Sequence, residues 1–460
     1  MSTMKTPRRL LLGLLSVGLM ALLLSCGGGG SGGGSATGLA TSTAAGSSAG
    51  GDTGTAGSGS TDGSGTGSSG SAGNGSNDGS GVGSGGTASN GGTDGSGVGS
   101  GGTGVTADAA GIGAADGLGS IILNGLRYNT DTATITVEDA TELQIGMSAR
   151  VTGKVDADFT SGVATQVVSA AELRGAVSRI DVGAGSFVVM GISVSIDPAT
   201  VWADASGLAS VADGSTIQVW GLPGAPGTLR ATRVEIAPTL TDPLVTGTVQ
   251  NLDPVSKTFK LGELTVNYGA AVFAGIDASS LANGVIVRAR GTAAPVLGVF
   301  TATKVENWYV IPVSDGIALQ LAGVITDFAS RGAFEVLGTP VDATNAQITG
   351  GPATSLGNGV KVEVDGFMSG GVLVAKKLRI RNVPGTGGPA SFTLIGAIGA
   401  YRSPADFRVR GQPVDASGPG TVFENGTVAN LGNGQRVTVV GDRVVDGVLI
   451  AQRVTFTAPP

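Results

Sequence analysis

Along this chain a strict alternation of apolar and polar residues recurs, each time six residues long and held between two glycines. It runs Ser215-Thr-Ile-Gln-Val-Trp220 between Gly214 and Gly221, and Val285-Ile-Val-Arg-Ala-Arg290 between Gly284 and Gly291. Lys361-Val-Glu-Val-Asp365 before Gly366 and Arg436-Val-Thr-Val-Val440 before Gly441 repeat it, and Gly146 to Gly153 is a weaker first copy. Period two with β-branched residues predicts a half-buried strand. Asp213, Asn283, Asn358 or Asn433 precedes the first glycine in four copies, which reads as a tight turn with positive φ.

Other landmarks keep step with that beat. Downstream, Gly-x-Leu-x-Ala-x-Lys/Arg-Val begins at Gly227, Gly371 and Gly447, and at Gly298 with Phe300 in the Leu slot. Upstream, Gly175, Gly247, Gly323 and Gly396 open strands leading to Phe187, Phe259, Phe334 and Phe407. A second alternating strand then ends near Asp197, Asn267, Asp342 or Asp415. Each unit offers five or six short strands and one helical turn. A sheet that small leaves its edges unpaired unless it closes on itself. The expectation is all-β: five tandem small OB-like or SH3-like β-barrels at 118–173, 174–237, 245–307, 321–381 and 394–458. Short linkers are expected near Ala237–Val245, Trp308–Leu321 and Arg381–Leu394.

The repeated pattern resembles the bacterial domain-of-unknown-function family 5666, over nearly all of residues 118–458. Ile122-Leu-Asn-Gly-Leu-Arg-Tyr-Asn129 is similar to the opening strand of arrays of that family. The resemblance implies an all-β fold and secretion, and it brings no activity.

The N-terminal quarter follows different rules. Lys5, Arg8 and Arg9 precede an apolar run from Leu10 to Leu24. At 1.5 Å per residue the run reaches about 22 Å, short of the roughly 30 Å hydrocarbon layer, so residues 1–25 read as a signal peptide. Leu23-Leu-Ser-Cys26 resembles the bacterial lipoprotein box, which implies that Cys26 is acylated and anchors the chain to a membrane. Gly27 after the cysteine implies, by the sorting pattern of such lipoproteins, a lipid-anchored place at the outer membrane, periplasmic or surface-exposed. From 26 to 117 the chain is Gly-, Ser-, Thr- and Ala-rich, without Lys or an aromatic residue. So little apolar surface cannot offset the entropy of ordering, and a disordered tether with an r.m.s. span of roughly 50 Å is expected.

Composition narrows the chemistry. There are 83 glycines, one cysteine and no histidine in 460 residues, with a net charge of −7. Without histidine or a spare cysteine, an imidazole base, thiolate nucleophile or common zinc site has nothing to be built from. No metal or other cofactor is expected, no catalytic residue is assigned, and the chain is read as no enzyme. An acidic chain with few aromatic residues also argues against nucleic acid as partner. Asp197, Asp342 and Asp415 sit at equivalent strand ends and read as turn residues rather than acid–base carboxylates. The bases before the final Val (Arg233, Lys304, Lys377 and Arg453) read as a solvated face. Trp202 shares its slot with Phe273 and Phe423 and reads as core. That leaves Trp220, Trp308 and Tyr309 as candidate contacts for carbohydrate. The function expected is a structural or binding role in the cell envelope, with an envelope polysaccharide or protein as partner. The alternative is a glycan-binding adhesin or peptidoglycan binder.

Overall fold

The computed structural model describes residues 106–237, 239, 241–388 and 390–457. The signal peptide, Cys26 and the tether up to residue 105 lie outside the described residues. Within them the secondary structure is β-strand, with short 3-10 turns at Leu208–Ser210, Ala278–Ser280, Ala353–Ser355 and Val428–Asn430.

The fourth repeat shows how one unit closes. Its main strands are Ala318–Ser330, Ala333–Val336, Thr339–Asp342, Lys361–Ser369 and Val372–Asn382. The first pairs antiparallel with the second and the second with the third. The third pairs parallel with the fifth, which returns antiparallel to the fourth. The fourth pairs antiparallel with the first, so no edge remains open. The same circuit closes over Thr106–Ser169, Leu173–Ile236 and Phe392–Phe456. In the third repeat the fifth strand is split into Val299–Thr301 and Lys304–Glu306, and the two halves complete the circuit between them.

The recurring residues now have separate causes. The first glycine of each beat is a left-handed turn residue, with φ from 82° to 93° at Gly146, Gly214, Gly284, Gly359 and Gly434. The second is a point of close approach. A Cβ on Gly366 would lie 2.2 Å from the Val374 carbonyl oxygen, and one on Gly441 2.3 Å from that of Ile450. The pairing register slips at these glycines, a bulge that bends the fourth strand around the barrel. The asparagine before the first glycine has a different task from the one its sequence suggests. Asn283, Asn358 and Asn433 are absent from the left-handed region. Their Oδ1 atoms accept the backbone N–H of Leu252, Phe328 and Tyr401 at 2.9, 2.9 and 2.8 Å. They therefore stitch the turn to the irregular end of the first strand, some thirty residues upstream. Phe187, Phe259, Phe334 and Phe407 are buried in the barrel cores.

The repeats meet through their first strands. Leu173 and Arg174 pair with Val245 and Leu244, joining repeats two and three. The opening strand, Thr106–Leu118, pairs with the first repeat's own fourth strand, and also parallel with Ala318–Leu321 and Thr393–Leu394 of repeats four and five. This corrects the tether boundary at 117: residues 106–117 are a paired strand at the junction of three repeats. Its sequence, Thr106-Ala-Asp-Ala-Ala-Gly-Ile-Gly-Ala-Ala-Asp-Gly-Leu118, has the composition of a linker because its neighbours leave no room for larger side chains. A Cβ on Gly113 would fall 1.9 Å from Asn124 Oδ1, and one on Gly117 2.1 Å from the Thr393 carbonyl oxygen.

Candidate functional site

Trp220, Trp308 and Tyr309 do not present a sugar-stacking face. They are 0%, 3% and 6% exposed, and all three lie at junctions between repeats. Trp220 packs with Met147, Ala171 and Leu244, residues drawn from or flanking three different repeats. Trp308 and Tyr309 follow the third repeat in a stretch expected to be a linker. They are buried because that stretch joins one apolar cluster with Ala170, Leu319 and Leu321. These three assignments are therefore corrected from ligand contacts to interior side chains.

What surrounds them is a buried ionic junction. The Trp308 ring lies between two guanidinium groups, with Arg150 Cζ 4.1 Å and Arg288 Cζ 3.8 Å from its centroid. Arg288 is fully buried, yet it is paired twice, with Glu306 at 2.6 Å and Glu138 at 2.8 Å. Trp308 Nε1 and the Tyr309 hydroxyl both donate to Glu172 Oε1, at 3.1 and 2.7 Å, and Ser148 Oγ donates at 3.2 Å. Beside them Arg174 and Arg290 clamp Asp139 at 2.6 and 2.8 Å. Burial pushes the Glu172 carboxyl above its ordinary value, despite the Tyr309 hydrogen bond and the Arg288 charge. Burial opposes ionisation of Asp139 too, but Arg290 and Arg174 outweigh it and hold that carboxyl low. Burial lifts the Tyr309 hydroxyl well above its usual range, and the Glu172 charge adds to it. Glu172 is fully buried, with three donors on its Oε1, and so is closed to solvent. Its chemistry is cohesion between repeats one, two and three.

The other sequence candidates resolve in the same direction. Asp197, Asp342 and Asp415 each accept the backbone N–H two residues on, at 2.8 to 2.9 Å, and so hold their turns. The bases before the final Val make no continuous stripe. Arg233 is buried against Glu235, the Ile145 carbonyl oxygen and Gln144, and Lys304 pairs with Glu306 at 2.6 Å. Lys377 reaches the Asp158 carbonyl oxygen, and Arg453 lies 3.5 Å from Glu424. Trp202 is buried, in keeping with its core slot. Among the described residues no group of three or more Asp, Glu, His or Cys is placed to hold a metal ion.

Two concave surfaces with charged linings lie between repeats. One opens over the ionic junction, about 520 Å³, lined by Glu138, Asp139, Arg174, Arg290 and Lys304. A second, about 250 Å³, lies where repeats one, two and five meet, lined among others by Glu142, Arg408 and Arg410. Sequence reasoning passed over these last residues. The signal that could have found them is a break in the repeat: Arg410 occupies the hairpin slot filled by Met190 and Leu337 in repeats two and four.

A family model described as Domain of unknown function (DUF5666) matches the chain four times, at 174–235, 246–306, 322–379 and 395–455. Together the matches cover more than half of the sequence and coincide with the second to fifth closed circuits. No curated protein matches the chain.

Proposed function

We propose that this chain, which belongs to the DUF5666 family, is an exported, lipid-anchored protein of the bacterial envelope, and that its repeats act as a structural or binding body rather than an enzyme. One observation carries the reading. The strand that follows the tether region, Thr106–Leu118, is hydrogen-bonded on both edges and pairs with strands of repeats one, four and five. A tether attached at Cys26 would thus join the body at a strand paired to three barrels, and tension along it would be shared among them. The basic start, short apolar run and Leu23-Leu-Ser-Cys26 supply the export and anchoring half of the proposal.

Metabolic labelling with a palmitate analogue tests the anchor. Label is expected on the wild-type chain and not on Cys26→Ala. An unlabelled wild type, or equal labelling of the two, would remove the anchor from the proposal. A glycan-binding role is the second reading. With the aromatic candidates buried, it rests on the 250 Å³ cleft.

A further inference from the structure

The cleft between repeats one, two and five has an unusual charge balance for an acidic chain. Its lining carries the guanidinium groups of Arg233, Arg408 and Arg410 and the carboxylates of Glu142 and Asp446. Arg233 is spent on Glu235, Gln144 and the Ile145 carbonyl oxygen. The other two are not. Arg408 Nη1 donates to the Gly411 carbonyl oxygen at 2.7 Å, and Arg410 Nε donates to that of Ile395 at 3.1 Å. Each guanidinium has five N–H donors, so each keeps most of its fork free. Among the described residues neither forms an ion pair with a carboxylate.

Arg410 is also held where its backbone is least comfortable. It has a φ of 53°, a left-handed conformation that costs roughly 1–2 kcal/mol for a side-chain-bearing residue. In repeats two and four, buried Met190 and Leu337 take this position and cover Gly175 and Gly323, so packing accounts for them. In repeat five the Arg410 stem covers Gly396 instead, and its charged head stays exposed. The stem is fixed by the barrel and the fork remains available.

Two exposed, anchored guanidinium groups suit a planar carboxylate. A volume of about 250 Å³ suits one ring-sized unit, below the ≈300–1,000 Å³ of sites for drug-sized ligands. Glu142 and Asp446 can accept hydrogen bonds from hydroxyl groups. No aromatic ring lines the cleft, so a neutral sugar has nothing to stack on and charge must carry recognition. From these observations we infer that the cleft binds a carboxylate-bearing sugar unit, a uronic-acid-type residue of an envelope polysaccharide. The inference rests on the binding half of the proposed function and not on the lipid anchor.

The test uses the full chain purified in detergent, titrated calorimetrically at low salt with glucuronic acid, its methyl ester, glucose and a dipeptide with a free carboxyl terminus. Glucuronate is expected to bind, and the ester, glucose and dipeptide to bind at least about tenfold more weakly. Arg408→Gln and Arg410→Gln should each weaken glucuronate binding about tenfold or more without lowering the melting temperature. Arg402→Gln, outside the cleft lining, should leave it unchanged. Salt should weaken the binding. Absence of glucuronate binding, or binding indifferent to both cleft variants, overturns the site. Equal binding of the dipeptide overturns the sugar assignment. Failure of the palmitate labelling would leave this measurement untouched, so the two proposals fail separately.

Discussion

Asp116 sits in the opening strand with its side chain 15% exposed, 3.8 Å from Arg381 and facing Lys361 and Glu363. Burial, reinforced by the Glu363 charge, lifts its carboxyl from 3.8 to about 7, against the pull of Arg381 and Lys361. Burial lifts Asp365 to about 6, with Glu363 again adding to it. The chain has no histidine, so no side chain with an ordinary value titrates between pH 5 and 8. Any pH dependence of stability there must come from displaced carboxyls. The sign follows from linkage. Between pH 4 and 7 the folded state keeps a proton on Asp116 that the unfolded chain has released. The associated stability is complete below pH 4 and is lost as pH rises through about 7, on the order of 4 kcal/mol at most. Asp156, lowered to about 2 mainly by the Thr160 and Ser161 hydrogen bonds, acts with the opposite sign and only in acid. Urea midpoints of the wild type should therefore fall from pH 5 to pH 8. Asp116→Asn should flatten that fall and be the more stable protein at pH 8. Parallel curves for the two would show that Asp116 is already ionised in the folded state.

At the scale of the strand, the opening segment makes the sharpest prediction. A chain truncated to begin at residue 118, where composition turns apolar, would lack a strand that pairs with Ser148–Asp156 and with repeats four and five. It should be insoluble or lack a cooperative melt. A chain beginning just before Thr106 should melt like the parent. Equal melts for the two would return residues 106–117 to the tether. The same strand shows where sequence reading stopped. Alternation and the glycine beat are set within one unit, by turn geometry and close approach, so the repeated closed β units were legible. Thr106–Leu118 was not, because what selects its small residues is Thr393 of a distant strand and Asn124 of a neighbouring turn. Trp308 and Tyr309 were misread for the same reason. Their partner Glu172 lies 136 and 137 residues away in the chain. Arg410 was missed because an exposed arginine in a hairpin is ordinary until it is set beside Met190 and Leu337 in the equivalent turns.

For the molecule as a whole, the backbone pairing defines two bodies. Repeats one, four and five share one continuous sheet, and repeats two and three share another. Between the two, the backbone bonds from Asp446 and Gly447 N–H to the Ala205 and Trp202 carbonyl oxygens join side-chain contacts in carrying the connection, and the ionic junction is one polar part of it. Arg288 of repeat three reaches Glu138 of repeat one and stacks on Trp308, while Glu172 gathers Ser148, Trp308 and Tyr309. A buried ion pair adds little over an apolar pair of the same shape, but removing one partner leaves charges stranded and costs about 3–5 kcal/mol. That loss would fall on the junction and on none of the barrel cores. The wild type should therefore unfold in one calorimetric transition, with van't Hoff and calorimetric enthalpies in agreement. Arg288→Ala should split it, releasing repeats two and three at lower temperature while the sheet of repeats one, four and five melts near its original position. Asn433→Ala supplies the contrast. It removes a single turn hydrogen bond inside repeat five and should lower the stability modestly, by about 1 kcal/mol, without dividing the transition. Five separate transitions in the wild type would mean that the junction couples nothing. A single lowered transition in Arg288→Ala would mean that apolar packing between the two sheets is enough to hold them as one.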